Sequence, residues 1–169
     1  DTTVTWTVTD SSGNTGNATQ IVTVTDTTAP IITAPADVSV SAIDSCEAQL
    51  TLGDAITTDN CSVSSLTNDA PTAFELGETI VTWMVTDSSG NTATATQTVT
   101  VIDYSGPTIE APINVSVSTN DGCTATGVFL GEPITISDNC SISSVTNDAP
   151  TAFELGETTV TWTVTDSSG

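Results

Sequence analysis

Residues 81–91 read Val-Thr-Trp-Met-Val-Thr-Asp-Ser-Ser-Gly-Asn. Val81, Trp83 and Val85 alternate with Thr82, Met84 and Thr86, the period-two pattern of a strand with one buried and one solvated face. Threonine suits the solvated positions because β-branched side chains fit a pleated surface. Asp-Ser-Ser-Gly-Asn then supplies a turn, since Asp, Asn and Ser bond their own backbone and Gly accepts a left-handed conformation. A second strand over residues 93–103 completes a hairpin. The same alternation opens the chain at Val4, Trp6 and Val8 and closes it at Val160, Trp162 and Val164.

This hairpin is one part of a longer internal repeat. Residues 67–79 and 146–158 carry the same thirteen letters, TNDAPTAFELGET. Trp6, Trp83 and Trp162 are 77 and 79 residues apart, Pro30 and Pro107 are 77 apart, and Cys61 and Cys140 are 79 apart. The period is therefore about 78 residues, the size of a small sandwich domain rather than a solenoid turn. Further strands are predicted over residues 37–43, 46–52 and 62–68, and in the next copy over 114–119, 124–130 and 141–147. No segment has helical spacing. Six or seven short strands with turn signals in each period predict an all-β chain of tandem Ig-like β-sandwich domains, with a barrel as the competing topology.

Composition narrows the function. The chain of 169 residues has 21 Asp plus Glu, no Lys, Arg or His, and a net charge of −21. Without cations it cannot neutralise a phosphate backbone, which excludes nucleic acid as a partner. A polybasic membrane contact is excluded on the same ground. Without His or Lys the chain lacks the usual general bases and Schiff-base amines, and its serines have no histidine to activate them. Paired carboxylates serve glycoside hydrolysis, but here the acids recur with the scaffold and no two stand apart. The reading is of a protein that is not an enzyme. No run reaches the ~18 apolar residues of a transmembrane helix, and no basic-then-apolar leader opens the chain.

The cysteines are Cys46, Cys61, Cys123 and Cys140. Four cysteines allow three pairings. Cys46 with Cys61 and Cys123 with Cys140 is favoured because one pair then falls in each repeat, each bond stabilising the fold by about 3 kcal/mol on the chain-entropy view. Free buried thiols are the alternative. Disulfides place the chain in an oxidising, extracellular setting, secreted or at a cell surface.

At this point the chain resembles a known family. Residues 81–91 follow Asp-Asn-Cys-Ser at 59–62, repeated at 138–141, and Asp-Thr-Thr-Ala-Pro stands at the junction 26–30. In that order these motifs look like the hyalin repeat. The second junction departs from the pattern, reading Asp-Tyr-Ser-Gly-Pro at 103–107. The resemblance implies Ig-like domains in secreted or surface proteins, often in tandem, associated with adhesion and extracellular matrices, and it implies no catalysis.

In repeat phase, residues 1–29 are the closing hairpin of an incomplete repeat, 30–106 a complete repeat, and 107–169 a repeat lacking its last strand. One expectation is a window on a longer tandem array. The other is head-to-tail complementation, in which a strand carrying Asn14, Ala18, Gln20, Val22 and Val24 joins the neighbouring subunit by strand addition. Either way the partners are adjacent repeats or copies of the chain, end to end.

The remaining chemistry is acidic or hydroxyl-bearing. Asp26 and Asp103 precede the junction prolines, Asp59 and Asp138 precede Asn-Cys, and Asp87 sits at the hairpin turn. Calcium takes six to eight oxygen ligands of this kind, so these five are candidate calcium ligands, although Asp also favours turns unaided. Asn17 and Asn114 fit the N-x-Ser/Thr glycosylation acceptor, as do Asn60 and Asn139 beside cysteines. Thr2 and Thr27 are candidate O-glycosylation sites, and threonine is also simply a good strand residue. The tryptophans lie between inward-facing valines and read as core rather than as sugar-stacking platforms. The expected function is a structural segment of an extracellular filament or surface fibre. The alternative is an adhesive module or spacer that recognises glycan or protein partners.

Overall fold

The computed structural model describes residues 1–42, 45–120 and 122–169, and all regular elements among them are strands. In chain order these are β1 (Thr2–Thr9), β2 (Thr15–Val22), β3 (Ile31–Thr33), β4 (Val38–Ser41), β5 (Glu47–Ala48), β6 (Ile56–Thr58), β7 (Val63–Asn68) and β8 (Phe74–Glu75). They continue as β9 (Gly77–Asp87), β10 (Thr92–Ile102), β11 (Thr108–Glu110), β12 (Thr124–Thr126), β13 (Thr135–Ser137), β14 (Ile142–Asn147), β15 (Ala152–Glu154) and β16 (Trp162–Asp166). The chain is all-β, with the small paired sheets of an Ig-like β-sandwich. Among the described residues no helix is long and apolar enough to cross a membrane.

Strand pairing reproduces the sequence period. Antiparallel β3 and β6 place Ile31 opposite Thr58, and β11 and β13 place Thr108 opposite Ser137. Ala48 of β5 faces Phe74 of β8, and Ala125 of β12 faces Phe153 of β15. Leu66 of β7 faces Val85 of β9 with a bulge between Val63 and Ser65. The copy sets Val145 of β14 against Val164 of β16 with a bulge between Ile142 and Ser144. Even the irregularity recurs, because register is fixed by which alternate residues face inward.

The described chain forms two compact units, one of residues 1–35, 53–69 and 81–97, the other of residues 36–52, 70–80 and 98–169. In the first unit β7 pairs antiparallel with β9, and in the second β4 pairs with β10. In the first unit Val81 and Val85 are fully buried and Trp83 nearly so, its Nε1 donating to Oε1 of buried Gln97 at 3.2 Å. In the second, Phe74, Val99 and Val101 are buried, and β4 lies parallel to β10 with Val38 beside Val99 and Val40 beside Val101. Burying a valine or phenylalanine is worth about 1.5–3 kcal/mol, so these few residues carry much of the stability.

The hairpin β1–β2 has the letters of β9 without its surroundings. Val4, Trp6 and Val8 are 37%, 63% and 71% exposed, while Val81, Trp83 and Val85 are 0%, 6% and 0% exposed. Among the described residues β1 pairs with β2 alone, and the Trp6 indole N–H donates to Gln20 Oε1 at 3.2 Å. The core reading of the tryptophans therefore holds for Trp83 and not for Trp6.

Three predicted strands are corrected. The strand expected at 46–52 is two residues long, β5, because its partner β8 is equally short. That at 124–130 contracts to β12. Residues 114–119 form no strand at all: Val115 and Val117 are about half exposed, and no strand of the structure pairs with them as β10 pairs with β4. The predicted strand 37–43 appears as β4, and its last residue, Ile43, lies outside the described residues. The short β3, β6 and β8, with their copies β11, β13 and β15, went unpredicted because two or three residues cannot show alternation.

The cysteine pairing differs too. Cys46 is bonded to Cys140 with their Cα atoms 4.7 Å apart, and Cys61 and Cys123 are exposed thiols. The expected bonds 46–61 and 123–140 rested on placing one closely spaced pair in each repeat. Closure entropy, however, changes by only about 0.6 kcal/mol per doubling of loop length. Spacing therefore discriminates weakly, and the side chains that meet decide the pairing. Cys46, just before β5, has a left-handed backbone with φ of 57°. Alkylation of the unreduced chain followed by peptide mapping should modify Cys61 and Cys123 and recover Cys46 linked to Cys140. Recovery of Cys46 linked to Cys61 and Cys123 linked to Cys140 would restore one bond per repeat.

Candidate functional site

Two constellations of aspartates recur with the repeat. Asp26, Asp59 and Asp87 form the first, and Asp103, Asp138 and Asp166 the second; in each, one carboxylate oxygen from every residue lies within 4.8 Å of the others. Each triad gathers an aspartate before a junction proline, one before Asn-Cys, and one at the end of the strand that carries Trp83 or Trp162.

The local backbone holds each side chain in place. Asp87 caps its own turn: Oδ1 accepts from the backbone N–H groups of Ser89 and Asn91, both at 2.8 Å, and Oδ2 accepts from Asn91 Nδ2 at 2.7 Å. Gly90 follows at φ of 93°, where a side chain would be strained. Asp166 repeats the motif, its Oδ1 accepting from Ser168 N at 2.8 Å and Gly169 N at 2.7 Å. Asp59 Oδ2 accepts from Cys61 N at 2.9 Å, and Asp138 Oδ2 from Cys140 N at 2.8 Å. Asp26 Oδ1 accepts from Thr28 N at 3.0 Å and Asn60 Nδ2 at 3.3 Å. Asp103 Oδ1 accepts from Ser105 N at 3.0 Å and Asn139 Nδ2 at 3.2 Å. The same oxygen is engaged at each equivalent position, although the junction sequences differ.

The other oxygens are left over. Asp26 Oδ2, Asp59 Oδ1, Asp103 Oδ2 and Asp138 Oδ1 are shielded from solvent and accept no hydrogen bond. Asp87, Asp103 and Asp166 are buried as residues, at 2%, 9% and 6% exposure. The chain's lack of Lys, Arg and His leaves no side-chain cation to balance either triad.

Hydrogen bonds nevertheless keep the acids ionised. The Thr28 N–H and then the Asn60 amide hold Asp26 below the usual carboxylate range. At Asp87, burial pushes the pKa up, but the Asn91 side chain and the backbone N–H groups of the turn together bring it below its ordinary value. The Cys61 thiol is pushed up by its contact with Asp26, by desolvation, and by the charges of Asp26, Asp59 and Asp87. A thiol so held is a poor nucleophile at neutral pH.

All five aspartates singled out in the sequence fall in the triads. Asp166 was missed, though the repeat would have found it 79 residues after Asp87. Asp10, the earlier counterpart of Asp87, makes the same turn, with Oδ1 accepting from Ser12 N and Asn14 N at 2.8 Å. Among the described residues it joins no triad. The glycosylation candidates Thr2, Asn17, Thr27 and Asn114 are all exposed, as are Asn14, Ala18, Gln20, Val22 and Val24. Ala18, Gln20 and Val22 are paired with Trp6, Val4 and Thr2 of β1.

The chain is similar to known proteins, among them two hyalins and an adhesin. Hyalin of Strongylocentrotus purpuratus is 34% identical over 99% of this chain and 15% of its own length. Hyalin of Lytechinus variegatus is 33% identical over 99% of this chain and 34% of its own. The serine-rich adhesin for platelets of Staphylococcus aureus strain MRSA252 is 30% identical over 58% of this chain and 8% of its own. The chain thus spans about a third of the second hyalin's length and less of the other two. No solved structure matches it. The model of the HYR domain matches residues 25–101, which take in the first triad and the hairpin that holds it. Over residues 25–101 the chain is thus similar to the HYR domain family.

Proposed function

We propose that the chain is a structural segment of an extracellular filament or surface fibre, built from HYR-type Ig-like repeats joined end to end. The observation that carries this reading is the duplication of β3/β6, β5/β8 and β7/β9 as β11/β13, β12/β15 and β14/β16, with the aspartates at the same places in both. A fold repeated in register, down to its bulges, suits a load-bearing thread. Recognition surfaces would be expected to diverge between copies, yet residues 67–79 and 146–158 are identical. In repeat terms the segments are 1–29, 30–106 and 107–169.

The chain's partners on this reading are neighbouring repeats or further copies of itself. Among the described residues β2 pairs with β1 alone, so its other edge offers a ladder for strand addition. Sugar at the exposed Asn17, Asn114, Thr2 or Thr27 would shield such edges. The adhesive alternative, a module or spacer that binds glycan or protein, draws on the similarity to an adhesin for platelets. Electron microscopy of the native material separates the two. Continuous smooth threads, with roughly 34 Å of length per repeat as ten-residue strands allow, support the structural role. Dispersed short rods that bind a surface through their ends would replace it with the adhesive one.

A further inference from the structure

We propose that each aspartate triad is a calcium site, so that the chain binds two calcium ions, one at Asp26, Asp59 and Asp87 and one at Asp103, Asp138 and Asp166. Clustered acids alone would not carry this, since aspartates at turns are ordinary. The observation that does is the set of buried carboxylate oxygens that accept nothing: Asp26 Oδ2, Asp59 Oδ1, Asp103 Oδ2 and Asp138 Oδ1. Asp103 is 9% exposed, and its unpartnered oxygen belongs to a residue of the second triad. A buried carboxylate oxygen without a partner is costly, and three converging carboxylates without a cation cost more.

The leftover oxygens are also held in position. In both triads the sister oxygen is fixed by a backbone N–H, or by a backbone N–H and an asparagine amide, so the free one cannot swing to water without breaking those bonds. The junctions differ in sequence, Asp26-Thr-Thr against Asp103-Tyr-Ser, yet the same oxygens are spared. Two different sequences that spare the same atoms indicate a common ligand.

Its chemistry follows from the donors. They are hard carboxylate oxygens, which suit calcium, magnesium or manganese rather than zinc or copper. Oxygens up to 4.8 Å apart are spanned by an ion with bonds of about 2.3–2.6 Å, as calcium has. Magnesium, at about 2.0–2.1 Å, reaches less far and keeps most of its water. Backbone carbonyls and water would complete a calcium shell. An ion bound there would tie together three stretches far apart in sequence: the junction, the Asn-Cys turn and the hairpin turn.

The site concerns single chains in solution, so its test stands apart from the filament reading. Equilibrium dialysis of the disulfide-intact chain against calcium chloride should give two ions per chain, with magnesium at the same concentration binding at least about tenfold more weakly. Asp59→Asn should weaken one site and Asp138→Asn the other, each by about tenfold or more, and the double variant both. Far-ultraviolet circular dichroism in EGTA shows whether each variant folds. If one does not, the two-ion stoichiometry and the preference over magnesium in the unsubstituted chain decide the matter. No binding at about 10 mM calcium, well above the range of extracellular modules, would overturn the proposal. So would binding equal for both metals and unchanged in a folded double variant, which would mark a diffuse ion atmosphere on a highly charged surface.

Discussion

In the 169-residue chain, Trp83→Ala should cost about 3–5 kcal/mol of stability, while Trp6→Ala should cost under about 1 kcal/mol. The two residues sit in the same local sequence, Val-Thr-Trp-x-Val-Thr-Asp, and each donates its indole N–H to a glutamine at 3.2 Å. Propensity, alternation and the hydrogen bond are therefore matched, and only the surroundings differ. Trp83 is 6% exposed between Val81 and Val85, which are fully buried. Its removal leaves a cavity whose walls collapse only in part. Trp6 is 63% exposed on a two-stranded hairpin, so its loss removes cross-strand contact and little else. Urea denaturation of both variants, compared by midpoint and slope, makes the measurement. Equal losses would mean that the hairpin letters, rather than the packing around them, set the stability of this motif.

That contrast shows how far the sequence can be read. Alternation at residues 81–91 and the Asp-Ser-Ser-Gly-Asn turn follow from side-chain period and backbone bonding, which are local, and β9, β10 and the Asp87 turn form as expected. Burial is not local, which is why identical letters give a core at Val81 and an exposed face at Val4. Strands 46–52 and 114–119 show the same limit, since a strand persists only where another lies beside it. The candidate site was more legible, because a repeat marks equivalent atoms: five of its six aspartates were picked out from position, and the period supplies Asp166. That the aspartates meet in threes, with one oxygen of four of them left over, depends on where three turns fall in space. Cysteine pairing was least legible, because loop length discriminates weakly between partners.

Acid should separate the Asp87 turn from the rest of the molecule. The chain carries 21 acidic side chains and none of the basic ones, so lowering pH first relieves self-repulsion. Asp87 works in the opposite direction. Its folded pKa lies below the ordinary 3.8, because the bonds from Asn91, Ser89 and Gly90 together outweigh the opposing effect of burial. A carboxyl with a depressed folded pKa contributes stability that is present above its unfolded pKa and lost as pH falls through the folded one. Asp87→Asn removes that contribution and sets an amide N–H₂ against Asn91 Nδ2, which donates to Asp87 Oδ2 at 2.7 Å. The variant should therefore melt below the unsubstituted chain at pH 7, and the gap should close below about pH 4 as the native carboxyl takes up its proton. Asp10→Asn, in the equivalent but exposed turn, should shift the melt far less, since the hairpin β1–β2 rests on few contacts beyond its own. Melting curves from pH 7 to pH 2.5 in EGTA keep any metal out of the comparison. A gap for Asp87→Asn that stays constant across that range would mean that the side chain's shape, and not its charge, holds the turn together.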